Sequence, residues 1–343
     1  MKIFACSECG HALHFENVTC LNCGRAVGYD RHGARMLGLE PDGPVWRRPS
    51  APDEGPWRFC ENWERSACNW LVPREEGGLC RACRHNHIIP DLSAPGNLAL
   101  WKKMEAAKRR LIYGLLRLGI PPELPEEEGP EPLVFDFPAD EGGQNAMTGH
   151  EDGVVTVALA EADDAEREAR RTAMHEPYRT LLGHFRHEVG HYYWDKLIRD
   201  GGRLEAFREV FGDERADYGE ALKAHYASGA PADWQERHVS AYASSHPWED
   251  WAETWAHLLH IVDALEMAGA WGMSVAGRAM PADPYGRDPV DGLLEAWIPL
   301  TVALNGMNRT MGLPDLYPFV LGGAVMDKLR FIAGVIRKAR GTP

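Results

Sequence analysis

The sequence predicts an α+β protein with a cysteine-rich N-terminal region and a mostly helical C-terminal domain that contains a small β-sheet. Two observations predict this division. All 8 cysteines of the 343-residue chain lie before residue 84. The remainder carries apolar residues at helical spacing, interrupted by only two short runs of strand-forming residues. We expect three parts, namely residues 1–95, a linker at 96–132 and a domain at 133–343.

Composition and charge narrow the class of protein. Hydrophobic residues make up 44% and charged residues 26% of the chain, as in ordinary globular proteins. The chain contains no run of about 18 apolar residues, so we expect no transmembrane helix. The cysteine motif begins at Cys6 and leaves no room for a signal peptide, which favours a cytoplasmic protein. The net charge of −14 argues against nucleic-acid or membrane binding.

The first four cysteines form the pattern C-x2-C-x10-C-x2-C. Each C-x2-C pair predicts a tight turn that presents two thiolates to one ion, and a glycine after each pair permits a positive φ. Two such turns predict a closed zinc site with four cysteine ligands. The four residues are Cys6, Cys9, Cys20 and Cys23.

The last four cysteines predict a second four-cysteine zinc site, although they contain only one tight turn. Nearby, His85 and His87 are alternative ligands that could replace one thiolate. Both sites should be structural because four protein ligands leave no open position, and segments this short bury too little core without a metal. The second set is Cys60, Cys68, Cys80 and Cys83.

The linker and the start of the third part can be read from periodicity. Residues 96–118 have helical periodicity, and Pro121-Pro122 ends that helix. Residues 121–132 form a connector rich in proline and glutamate. The segments Leu133–Phe137 and Gly153–Leu159 then read as two short strands.

An H-E-x-x-H motif lies at residues 187–191. On a helix, His187 and His191 are one turn apart on the same face, so their imidazoles can bind a single Zn²⁺. Glu188 then faces a metal-bound water and acts as a general base. The alternative interpretation is a surface helix that carries two ordinary histidines.

A third ligand must come from elsewhere in the chain. The residues after His191 lack the glycine and histidine of metzincins, which leaves the gluzincin pattern with a glutamate on a later helix. In that later helix, Glu249 and Glu253 lie one turn apart. We expect Glu249 to bind zinc and Glu253 to accept the Nδ1–H of His187 or His191. The reverse assignment remains open.

Residues 242–253 together with the H-E-x-x-H motif resemble the gluzincin domain of anthrax lethal factor and its relatives. In that domain a tyrosine lies seven residues before the ligand glutamate, and a second glutamate follows four residues after it. Tyr242, Glu249 and Glu253 occupy these positions. The resemblance implies that Tyr242 donates its phenol to the oxyanion. Trp248 departs from the pattern without affecting metal ligation.

Nearly the whole chain also resembles a bacterial family of zinc-binding metallopeptidases with an N-terminal zinc ribbon. The blocks Phe211–Tyr218 and Asn308–Tyr317 contribute to this likeness. It implies a zincin-like metallopeptidase domain preceded by a zinc ribbon. Together with the two cysteine sets, we expect one catalytic and two structural zinc ions and a peptide or protein substrate. In zincins an edge strand above the metal pairs with the substrate, and the strand at 153–159 is the candidate.

Two alternatives to peptide hydrolysis remain. The chain could be a non-catalytic zinc-ribbon adaptor, in which the helical domain binds a partner and the H-E-x-x-H motif holds a structural zinc. The zinc-ribbon region could also bind a protein partner. It could also be a zinc amidase that acts on a non-protein amide with the same site residues.

Overall fold

The computed structural model describes residues 1–73, 77–127, 131–139, 148–173, 180–286 and 290–340. Residues 128–130 of the predicted connector lie outside these ranges. The chain divides into two compact units, one built from residues 1–113, 122–148 and 156–164, and the other from the remainder. The first unit holds most of the strands and the second most of the helices, so the predicted α+β class is confirmed.

The first unit begins with two antiparallel sheets. Strands β1 (Phe4–Ala5) and β2 (Ala12–Leu13) pair with each other, and five more strands form a meander in sequence order. One cluster of buried apolar side chains in the meander consists of Leu37, Leu39 and Leu71, and the partly buried rings of Trp46, Trp57 and Phe59 pack against it. The five strands are β3 (Ala26–Asp30), β4 (Arg35–Asp42), β5 (Val45–Arg47), β6 (Trp57–Phe59) and β7 (Leu71–Pro73).

Four further elements follow the meander. Strand β8 pairs in parallel with β9, and the linker helix α2 lies between them in sequence. As its periodicity predicts, α2 buries Met104, Ala107 and Leu111. These elements are α1 (Arg81–Arg84), β8 (Asn86–Ile88), α2 (Asn97–Arg117) and β9 (Val134–Asp136).

The rest of the chain is mostly helical. Strand β10 (Gly149–Glu151) lies at a sheet edge beside β11 (Val154–Thr156). The helices are α3 (Asp164–Ala173), α4 (Leu181–Trp194), α5 (Leu204–Phe211), α6 (Tyr218–Ser228), α7 (Pro247–Ala270), α8 (Val290–Thr310) and α9 (Gly323–Ala339). The strands β12 (Ser274–Val275) and β13 (Arg278–Ala279) form a short hairpin. Of the helices in the described ranges, none is long and apolar enough to span a bilayer.

Helices α4 and α7 form the centre of the second unit. Their backbones approach closely at Gly190, where an added Cβ would lie 3.0 Å from the Cα of Ala252. The indole of Trp251 donates to the carbonyl of Gly190 over 2.8 Å, and the buried rings of Trp255 and Tyr193 stack with centroids 4.8 Å apart. This contact brings α7 within side-chain reach of the motif on α4.

The start of α7 is fixed by His246 and Pro247. The Nδ1 atom of His246 accepts from the backbone N–H of Trp248 over 3.1 Å, and its Nε2 donates to the carbonyl of Ala216 over 3.1 Å. A side-chain N-cap followed by proline at the first position is a strong helix start. Glu249 therefore lies in the first turn of α7, where the helix dipole favours a negative charge.

Candidate metal centre

Helices α4 and α7 bring two imidazoles and one carboxylate together. The Nε2 atoms of His187 and His191 lie 3.2 Å apart. The Oε2 atom of Glu249 lies 2.9 Å from Nε2 of His187 and 3.6 Å from Nε2 of His191. Such a group of one ligand atom per residue could hold a metal ion.

Glu253 occupies a different position from Glu249. Its Oε1 lies 2.8 Å from Nδ1 of His187, and its Oε2 accepts from the hydroxyl of Ser240 over 2.6 Å. A carboxylate at Nδ1 holds the proton on that nitrogen and leaves the Nε2 lone pair free for a metal. The structure thus places Glu249, and not Glu253, against both Nε2 atoms.

Charges around the cluster are strongly coupled. Burial lowers the pKa of His187, but the carboxylates of Glu249 and Glu253 overcome it and raise this pKa well above the usual value. Burial raises the pKa of Glu249, yet the charges of His191 and His187 hold it well below its usual range. Burial raises the pKa of Glu253, but the hydrogen bonds from His187 and Ser240 and the charges of His187 and His257 together lower it to about 2. Both carboxylates therefore remain ionised beside the imidazoles and favour a cation.

Glu188 differs from these two carboxylates. Burial raises its pKa, the two imidazoles lower it, and the charges of Glu249 and Glu253 raise it further. The net shift is upward. A carboxylate with a raised pKa is better matched to exchanging protons near neutral pH than an ordinary glutamate.

Two aromatic side chains border the cluster. Tyr242 lies on the short 3₁₀ turn Tyr242–Ser244, and its ring centroid is 5.9 Å from that of His187. Burial first, and nearby Glu249 second, raise the pKa of Tyr242, so its phenol keeps its proton and can donate it in a hydrogen bond. The ring of Trp248 lies over His191 with centroids 3.7 Å apart. Trp248, the departure from the gluzincin pattern, therefore packs on one of the two imidazoles.

The sequence interpretation missed Tyr218. Its phenol donates to Oε1 of Glu249 over 2.7 Å. It lies at the first position of α6, after Asp217, whose carboxylate caps the helix by accepting from the N–H of Glu220. One signal was available, because Tyr218 ends the block Phe211–Tyr218 that contributed to the family resemblance.

The strand next to the motif helix also differs from the expectation. The predicted strand Gly153–Leu159 is shortened to β11, and the edge strand is β10, whose His150 ring lies 6.4 Å from that of His191. The Asp152-Gly153 pair between the two strands has φ values of 48° and 81°. This left-handed two-residue turn makes a hairpin, and an Asp-Gly pair is a sequence signal for it.

The two sets of cysteines assemble as their spacing predicts. In each set, one Sγ atom per residue lies within 4.8 Å of the others. All four residues of the second set are buried, whereas Cys9 of the first set is exposed. Glycines after the first two cysteine pairs have φ values of 72°, in the left-handed region. The sets are Cys6, Cys9, Cys20 and Cys23, and Cys60, Cys68, Cys80 and Cys83.

Neither alternative histidine joins the second cysteine set. The Nδ1 of His85 hydrogen bonds with the carbonyl of Leu133 over 2.8 Å, and burial lowers the pKa of His85 to about 3. His87 pairs with Asp136 over 2.8 Å. Among the described residues, the four cysteines of the second set are therefore the group that could hold a metal ion here.

Two family models match separate parts of the chain. Residues 97–335 match a family described as "Putative zinc-binding metallo-peptidase", and residues 3–94 match a zinc-ribbon domain family. Proteins of Mycobacterium bovis and of two strains of Mycobacterium tuberculosis, each described as an uncharacterized protein, are 43% identical over 338 residues, which is 98% of this chain and 95% of theirs. No solved structure matches the chain. The likeness to lethal factor stays a prediction.

Proposed function

The chain belongs to the putative zinc-binding metallo-peptidase family, and on that premise we propose that it hydrolyses peptide bonds with a zinc ion held by His187, His191 and Glu249. The observation that carries this proposal is the convergence of two Nε2 atoms and one carboxylate oxygen beside Glu188. Two imidazoles and one carboxylate form the ligand set of gluzincin hydrolases.

The donor atoms fit a metal. The Oε2 atom of Glu249 is buried and lies against Nε2 of both histidines, at 2.9 Å from His187 and 3.6 Å from His191. A buried, ionised oxygen is costly unless a positive charge compensates it, and a metal ion held by these three atoms would supply that charge. The Nε2 atoms of His187 and His191 face the same point, which is the arrangement that a tetrahedral ion requires.

The number of ligands favours a catalytic over a structural zinc. The described part of the chain brings three ligand atoms together here and four in each cysteine set. A tetrahedral zinc with three protein ligands keeps one position for water or substrate, whereas a structural zinc is closed. This contrast supports an enzyme over the adaptor interpretation. We propose structural zinc ions for the two cysteine sets.

The proposed mechanism assigns one task to each residue. A zinc ion bound at this site supplies Lewis-acid activation of the carbonyl and lowers the pKa of its water. Glu188 takes the proton from the attacking water and delivers it to the leaving amine. Tyr242 donates its phenol to the negative charge that develops on the carbonyl oxygen. Glu253 holds the proton on Nδ1 of His187 and so fixes that imidazole.

Strand β10 supports a peptide or protein substrate over a small amide. It is an edge strand, and its His150 lies beside His191. An edge strand offers main-chain hydrogen bonds to an extended peptide, which a compact amide cannot use in the same way. We place the reaction in the cytoplasm, where reducing conditions keep cysteine sets available for zinc.

The test is cleavage of a proteome-derived peptide library by wild-type and Glu188→Gln protein, with zinc counted in both. We expect Glu188→Gln to lower turnover by about 10²–10⁴-fold because it removes a general acid–base catalyst. Zinc content should stay unchanged because Glu188 is not a ligand in this arrangement.

Glu209→Gln on α5 is the matched control, since it makes the same chemical change at an exposed position. It should cleave at the wild-type rate. Equal activity of wild-type and Glu188→Gln protein would contradict the mechanism. Cleavage of non-protein amides without cleavage of peptides would favour the amidase alternative.

A further inference from the structure

Tyr218 hydrogen bonds to one of the two carboxylate oxygens of Glu249. Its phenol donates to Oε1 over 2.7 Å, while Oε2 faces Nε2 of His187 over 2.9 Å. A carboxylate on a flexible side chain can present either oxygen, or both, to a cation. A hydrogen bond to one oxygen removes that freedom. It leaves the other oxygen, on the side of the imidazoles, as the atom that can bind a metal ion.

The ring of Tyr218 is held by residues at the start of α7. Its centroid lies 5.4 Å from that of His246 and 5.6 Å from that of Trp248, both in edge-to-face geometry. His246 also binds the backbone two residues before Tyr218, through the carbonyl of Ala216. These contacts fix the phenol relative to Glu249 on the first turn of α7.

The position of Tyr218 does not suggest a packing role. No residue of α6 is buried, and Tyr218 itself is 38% exposed. An exposed tyrosine on a peripheral helix contributes little to a core. Its hydroxyl nevertheless meets a carboxylate that is only 1% exposed. The hydroxyl group, more than the ring, is therefore the part of Tyr218 that the site uses.

We propose that Tyr218 is a positioning residue that orients Glu249 for metal binding by holding its Oε1 atom. This role rests on the proposed function, because it assumes that Glu249 binds the zinc ion. Tyr218 thereby raises the affinity of the site for zinc, whereas Tyr242 acts on the substrate.

The test compares Tyr218→Phe, Tyr226→Phe and Tyr242→Phe in the full chain. Native mass spectrometry at buffered free zinc concentrations measures the dissociation constant of the third zinc, and peptide cleavage is measured at saturating zinc. We expect Tyr218→Phe to raise that dissociation constant about 10- to 100-fold, as for other partners of metal ligands. Its activity should recover when zinc is added.

The other two variants separate positioning from catalysis. Tyr226 lies on the same helix and is 63% exposed, so Tyr226→Phe should leave the zinc affinity unchanged. Tyr242→Phe should lower cleavage at saturating zinc with unchanged zinc affinity.

Each outcome decides a separate point. Equal zinc affinity of wild-type and Tyr218→Phe protein would overturn the role of Tyr218 and leave the proposed function intact. Weaker zinc binding by Tyr218→Phe in a protein that cleaves no peptide would support the role and overturn the hydrolysis. A wild-type chain that takes up only two zinc ions would overturn both.

Discussion

The two cysteine sets of the first unit differ from the cluster of His187, His191 and Glu249 in the second unit. The difference lies in the structure that surrounds the candidate metal ligands. The cysteines lie on turns between short elements, such as the four-residue helix α1. The histidines and Glu249 lie on helices of 14 and 24 residues that have a core of their own. On the proposed assignment, zinc completes the fold in the first region and is held by an already folded helical core in the second.

The second unit contains buried interactions that need no metal. Asp250, next to Glu249, is fully buried and lies 2.6 Å from Nζ of Lys328 and 3.1 Å from Nδ1 of His238. These contacts tie α7 to α9 and to the segment before α7. The proposed metal ligands of the second unit therefore lie on elements that are fixed by other side chains.

Removal of zinc should produce the largest difference between the two units. A strong chelator in reducing buffer should unfold the first unit, because a structural zinc contributes an apparent ~10–16 kcal/mol in small zinc domains. That exceeds the usual stability of a small domain. Hydrogen exchange should show loss of protection over residues 3–94 and retained protection in α4 and α7. Loss of protection in both units together would contradict the distinction.

Gly190→Ala tests whether helix packing, more than metal, builds the second unit. Its Cβ would lie 3.0 Å from the Cα of Ala252, so the helices must separate. We expect a loss of about 1–3 kcal/mol in the free energy of unfolding, as for other overpacked sites, and weaker zinc binding. Gly306→Ala on α8, with open space around its Cβ, is the control and should not destabilise the protein. Denaturant unfolding followed by far-UV circular dichroism measures the free energy of unfolding of both variants.

A smaller effect concerns His257, which hydrogen bonds with the hydroxyl of Tyr317 over 2.6 Å. Burial lowers the pKa of His257 from 6.5 to about 4, against the opposing charge of Glu253. Between these pH values the unfolded chain binds a proton that the folded chain does not. Stability should therefore fall as the pH falls from 6.5 to 4, by up to about 1.4 kcal/mol per pH unit from this group.

Denaturant unfolding at several pH values measures this dependence. His257→Gln should show a shallower fall in that window because glutamine does not titrate. The same slope in both proteins would mean that buried His257 does not contribute to the pH dependence of the second unit.

The groups of candidate metal ligands could largely be predicted from the sequence. The spacing of the cysteines and the H-E-x-x-H motif are local patterns, since each depends on a turn or on one helical period. Helix α2 followed from apolar periodicity in the same way. Tyr218 and strand β10 were missed, because their relation to the site depends on contacts between segments far apart in sequence.

The sequence by itself determined the class of protein, the two cysteine sets and the helix that carries His187 and His191. It left open whether Glu249 or Glu253 meets both imidazoles. Tertiary structure decided this, because the close approach at Gly190 and the N-cap at His246 fix the rotation and the start of α7. Such a crossing depends on packing between two distant helices, and no local spacing specifies it.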